Sequence, residues 1–186
     1  VNIYCNHLYL GGKSLVRTEE EMRAFSQSML DYKQETNYNY NEVYRQAVLN
    51  LLGKSENVLV LKGTAFDETK MAIQNTERND RSGDFHIHFH KMILNYLFGY
   101  YEEAKVQADK TRPLLDAVLA KFDVAVFHFY EALTYIALAR ESSPKERKKL
   151  LSRPNKNIKQ FKKWAKFCPD KHKHKLDLLE AERFWL

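Results

Sequence analysis

Apolar residues recur along this chain at intervals of three and four, the spacing of a helix that buries one face. Met22, Phe25, Met29 and Leu30 form one stripe, and Val43, Tyr44, Ala47, Val48 and Leu51 form the next. Phe85, Phe89, Met92, Ile93 and Tyr96 make a third, followed by Val126, Phe129, Tyr130, Leu133, Ile136 and Ala137. Ile158, Phe161 and Ala165 repeat the spacing, with Leu176, Leu179 and Leu186 in the last segment. Only Val58 to Leu61 resembles a strand, and a run that short between Asn57 and Gly63 is too little for a sheet. The pattern predicts an all-α protein.

Helix starts are marked by a side-chain acceptor followed three residues later by an acid, which together satisfy backbone donors that a first turn leaves unpaired. Thr18 with Glu21, Asn39 with Glu42, Thr64 with Asp67 and Ser143 with Glu146 fit this pattern. Pro144 after Ser143 suits a first helical position, where a missing N–H costs nothing. Between Leu97 and Ala108, the segment LFGYYEEAKVQA reads as a joint. One helix ends on Leu97, Gly99 supplies the bend, and Ala104 and Ala108 sit one turn apart where two backbones approach closely. The expected architecture is a set of antiparallel helical hairpins stacked as a TPR-like superhelix, an α-solenoid, in one domain over 1–186.

Composition agrees with a folded helical body: 13% aromatic residues, 6 Gly and 4 Pro. No uninterrupted apolar run reaches the roughly 20 residues of a membrane span, and no signal segment opens the chain, which is read as cytoplasmic. Val1 stands where an initiator Met is usual, and the apolar spacing is already under way at Ile3, Leu8 and Leu10, so the chain reads as a piece of a longer polypeptide. Cys5 and Cys168 lack CxxC spacing and are expected to be two buried or half-buried thiols.

Asp84, His86, His88 and His90 alternate with Phe85, Ile87 and Phe89. On a strand the three imidazoles would share one face and could hold zinc or iron. Met92, Ile93 and Leu94 break that alternation, and the helical stripe runs on to Leu97. On a helix only His86 and His90 share a face, leaving a weak metal candidate beside the favoured reading of a partly solvated face. His172 and His174, inside KHKHK, read as a solvated helix start, and His128 as a hydrogen-bonded core or interface residue. The sequence holds no GxxxxGK[ST], GxGxxG, GxSxG or HExxH pattern, so no catalytic residue, cofactor or metal is assigned.

Net charge of +6 conceals an asymmetry. Positions 141–175 hold 13 Lys or Arg against three acids, a local charge of +10, and the remainder carries −4. Lys156, Lys159, Lys163 and Lys166 recur on one helical face opposite Ile158, Phe161 and Ala165. Such a face can meet phosphates, an anionic membrane or an acidic partner, although the scarcity of Arg argues against nucleic acid, and a solvated face is the simpler reading.

Five blocks in order carry a family resemblance: YNEVYRQAVLNLLG (40–53), NDRSGDFHIHFHKMILNYLFGYYEEA (79–104), FHFYEAL (127–133), NIKQFKKWAKFCP (157–169) and HKLDLLEAER (174–183). The chain resembles the helical region that follows the AAA-type ATPase module of large multi-sensor signalling kinases, which join a Ser/Thr-kinase-like domain, an ATPase, a helical array, a GAF domain and a histidine kinase. The HIHFH run departs from that family's largely aromatic and aliphatic segment. The resemblance implies a TPR-like sensor or coupling region without phosphotransfer activity, whose partners are domains of the same polypeptide or another signalling protein. Tyr100 and Tyr135, as exposed aromatics, and the four lysines are the candidate partner-binding residues. Exposed ends of an excised array could also drive homodimerisation.

Overall fold

The computed structural model describes residues 2–118 and 122–186; Val1 and 119–121, which fall within the expected domain, lie outside the described residues. The described residues form ten α-helices: α1 (Asn2–Leu10), α2 (Leu15–Asp31), α3 (Glu35–Leu51), α4 (Glu68–Arg78), α5 (Arg81–Leu97), α6 (Tyr101–Thr111), α7 (Phe122–Glu141), α8 (Pro144–Leu150), α9 (Ser152–Phe167) and α10 (Pro169–Phe184). A 3-10 segment, Arg112–Val118, follows α6. No strand occurs among the described residues; Val58 to Leu61 lies in the loop between α3 and α4, and the one β-type pairing is an isolated bridge between Lys62 and Asp67.

The joint after α5 has the geometry its sequence predicts. Gly99 takes φ +83°, Tyr100 N–H bonds the Asn95 carbonyl at 2.8 Å, and Gly99 N–H bonds that of Tyr96 at 3.1 Å. This pair of bonds closes the helix end with a left-handed residue that only glycine adopts without strain. Ala104 and Ala108 are fully buried, and Ala108 belongs to the same apolar cluster as Phe89 and Met92 of α5.

Of the four predicted helix starts, one is placed correctly. Ser143 and Glu146 form a reciprocal capping box with Pro144 as the first residue of α8. Thr18 and Asn39 instead lie inside α2 and α3, which begin at Leu15 and Glu35. Leu15 joins the cluster around Tyr44, so the earlier turn buries apolar surface, and Glu35 complements the positive end of α3. At α4 the cap is Asp67 rather than Thr64, accepting from Thr69 N–H at 3.0 Å.

Four apolar clusters run through the protein in a chain. The Leu61, Phe66, Ile87, Leu94 cluster meets the Cys5, Met22, Tyr44, Val48 cluster through Leu51. Leu10 links that second cluster to Phe85, Phe89, Met92 and Phe127, and Tyr130 links these to Ile136, Ile158, Phe161 and Leu179. Helix α3 packs on α5, α5 on α7 and α7 on α9, while α2, α6 and α10 each pack on the neighbour to which a short turn joins them. Helix α7 is long and apolar enough by composition to cross a membrane, but 72% of that window is buried within the protein, as befits a central helix touching α5, α6, α8, α9 and α10.

Buried polar side chains tie these layers together. Asn50 donates to the carbonyls of Val58 and Val60, and Gln46 accepts from the N–H groups of Ala65 and Phe66, which fastens the loop before α4 to α3. Glu131, 1% exposed on α7, accepts from Arg112 at 2.6 Å and from Asn157 of α9 at 2.8 Å. Burial alone would raise the Glu131 carboxyl, but hydrogen bonds from His128, Asn157 and Arg112 outweigh it and hold the group below the usual range.

Candidate ligand-binding pocket

A cavity of about 760 Å³ opens where α1, α3, α5, α7, α9 and α10 meet. Its floor is polar and buried. Asn6 donates its amide N–H to Asp123 Oδ1 at 2.5 Å, and Tyr44 OH approaches the same oxygen at 3.3 Å and His86 Nδ1 at 3.0 Å. Asp123 is 1% exposed, His86 2% and Tyr44 3%. Burial first, then the neighbouring Asp123, pushes the Tyr44 phenol well above its ordinary value.

The walls are flat rings. Tyr40 and Tyr44 flank His86 at centroid distances of 5.0 and 5.1 Å. His7 stacks on Phe122 at 5.1 Å, and Trp164 lies 5.5 Å from His172. Tyr40 OH donates to Asp80 at 2.8 Å, and burial with that hydrogen bond pushes its pKa up to about 12. The rim carries Lys171, exposed on the first turn of α10. Burial, then the charges of Lys175 and Lys171, keeps His172 below the usual imidazole value.

The histidine run lies on α5, not on a strand, and its face is not partly solvated as expected. His86 and His90 are buried because α3 and α1 cover them: the Tyr44 ring sits 4.4 Å and the Tyr9 ring 5.7 Å from His90. His88 turns to the other side and meets Gln107 Oε1 at 2.8 Å. Among the described residues no three His, Cys, Asp or Glu side chains gather as metal ligands.

The other candidates scatter. Tyr100 is 50% exposed at the start of α6. Tyr135 is not an exposed aromatic: it is 8% exposed, its hydroxyl donates to Asp109 at 3.0 Å, and Lys105 lies over its ring, because this side of α7 packs on α6. Lys156, Lys159, Lys163 and Lys166 are all exposed on α9, remote in role from the pocket, opposite the buried Ile158 and Phe161. His128 bonds Asn157 at 3.2 Å; Cys5 is buried and Cys168 half-buried, both unbridged. His174 is exposed, whereas His172, expected in solvent, lines the pocket.

Sequence reasoning passed over Asn6, Tyr40, Asp123 and Trp164. Their pocket draws on positions from 3 to 172, and no local spacing marks such a set. The one available signal was Asp123, a carboxylate inside the otherwise apolar run that opens α7. No protein-family model, curated protein or solved structure matches the chain.

Proposed function

We propose that the chain is a non-catalytic coupling module of a multi-domain signalling kinase, a TPR-like array relaying between an ATPase module and downstream sensor and kinase domains. The observation that carries this reading is the linear chain of apolar clusters, in which α3, α5, α7 and α9 pack one on the next. Stacking of that kind transmits a displacement at one end through nearest-neighbour contacts, and it leaves broad surfaces for other domains. The family resemblance supplies the identity of those domains. Exposed apolar groups at both ends of the chain, Ile3, Tyr4 and Tyr32 near the start and Phe167, Phe184 and Trp185 near the finish, suit contacts with flanking domains.

The test is an autophosphorylation assay on the parent polypeptide, with and without this segment. Kinase activity that persists but no longer follows the nucleotide state of the ATPase supports coupling. Regulation that survives the deletion unchanged, or a parent reading frame lacking either neighbour, refutes it.

A further inference from the structure

We infer that the pocket binds a planar nitrogen heterocycle carrying an anionic group, the chemistry of a nucleotide. This goes beyond the coupling role, and no phosphate-cradling glycine loop is involved. Three observations converge on the ligand's parts. The first concerns its body. The Tyr40, Phe122 and Trp164 rings and the His172 imidazole line a space of about 760 Å³, within the roughly 300–1,000 Å³ of small-molecule sites. Flat aromatic faces accept stacked bases whatever their sequence identity.

The second concerns a hydrogen-bond donor on that body. Asn6 is 5% exposed, and its amide must direct N–H to Asp123, because a carboxylate only accepts. Its Oδ1 is therefore turned away from Asp123, and it has no hydrogen-bond partner. A buried carbonyl oxygen left in that condition is costly, and a heterocyclic N–H or exocyclic amine satisfies it once the Asn6 side chain turns toward the pocket it lines. An acyl chain of the same bulk would fill the space without meeting this need.

The third concerns charge. Lys171 and His172, which line the pocket, share the first turn of α10 with Pro169 and the acidic Asp170, which do not; the helix has 16 residues and its N-cap, Cys168, makes no side-chain cap bond. The positive end of the helix and the Lys171 ammonium both favour an anion at the rim. His172 Nδ1 is buried with no hydrogen-bond partner. Lys175, one turn on, has its ammonium 5.7 Å from the Phe122 ring and adds to the same field. A simple organic cation would face these charges.

Trp164 lines the pocket and Trp185 is 82% exposed, so a Trp185→Phe background, excited at the red edge where tyrosine does not absorb, makes Trp164 the sole tryptophan reporter. AMP, adenosine and ribose 5-phosphate are titrated into this protein. Saturable quenching by AMP is expected, with adenosine about tenfold weaker and ribose 5-phosphate weaker still, the worth of one charge-assisted contact. Lys171→Ala, an exposed change, is expected to weaken AMP binding toward the level of adenosine while leaving adenosine unchanged. Asn6→Leu is expected to weaken both about tenfold; should it fail to fold by circular dichroism, Lys171→Ala still decides. No saturable response to AMP at millimolar concentration, equal responses to AMP and ribose 5-phosphate, or AMP binding unaffected by Lys171→Ala would each overturn the inference. None of these outcomes bears on the kinase-coupling assay.

Discussion

Replacing His90 with Leu is expected to stabilise the protein, and by more at acid pH than at neutral. His90 is fully buried between Tyr9, Tyr44 and Phe89, and neither ring nitrogen has a hydrogen-bond partner. At pH 7.5 the imidazole is neutral, and the penalty is that of burying unpaired polar atoms, about 1–3 kcal/mol. Burial also lowers the pKa of His90 to about 3. Unfolding returns the ring to an ordinary value of about 6.5, so the unfolded chain binds the proton first and stability falls as pH drops below 6.5. Between those limits each pH unit costs about 1.4 kcal/mol, so at pH 5 the native histidine has lost about 2 kcal/mol that leucine keeps. Urea unfolding followed by circular dichroism at pH 7.5 and pH 5 should therefore show an advantage for His90→Leu that widens by about 2 kcal/mol. His88, also held low by burial, titrates in both proteins and cancels from the difference. Parallel stability curves, or a variant weaker at both pH values, would show that the ring is neither dry nor held neutral.

Gly99→Ala should cost about 1–2 kcal/mol, because a Cβ at φ +83° is strained even with open space around it. Lys33 holds the matching left-handed position after α2, with φ 55°, and Lys33→Gly should gain about 0.5–1 kcal/mol in the same urea assay. Glu131→Gln should lose about 3 kcal/mol near neutral pH by leaving Arg112 and Asn157 without their carboxylate. Since the folded pKa of Glu131 lies below its unfolded value, that contribution is present above the ordinary carboxylate range and fades as pH falls through the lowered one, so the two stability curves should converge at acid pH. Phe161→Ala, which empties a fully buried site against Trp164, should cost about 3–5 kcal/mol and shift the Trp164 emission.

Helices were legible in the sequence because their signals are local. Gly99 needs only its own backbone, and the Ser143 box needs only a residue three positions away. Start signals failed where a distant contact outweighed the local cap, as when Leu15 joined the Tyr44 cluster and carried α2 a turn beyond Thr18. Polar positions failed more deeply. An amphipathic pattern assigns Glu42, Gln46, Asn50, His86 and His90 to the outside, yet all five are buried, and four of them find hydrogen-bond partners. His90 finds none. Helix α5 is enclosed because α3 and α1 cover the side that its own stripe leaves polar. Burial there depends on which helices stack, information that no window of one helix contains.

The same geometry explains why the pocket escaped notice. Stacked helices bring residues into register at one point each per turn, so a site shared by six of them draws one to four residues from each and leaves no motif in any. Asn6 on α1 and Asp123 on α7 stand 117 positions apart and form a hydrogen bond of 2.5 Å. If neighbouring helices shift relative to one another in the coupling role proposed above, that bond and the ring spacings around it shift too, because its two ends lie on different helices. A ligand held across those layers would then bias the array toward one arrangement, and the array would alter the ligand's affinity by the same factor. Thus a pocket between layers can be a sensor without any catalytic group.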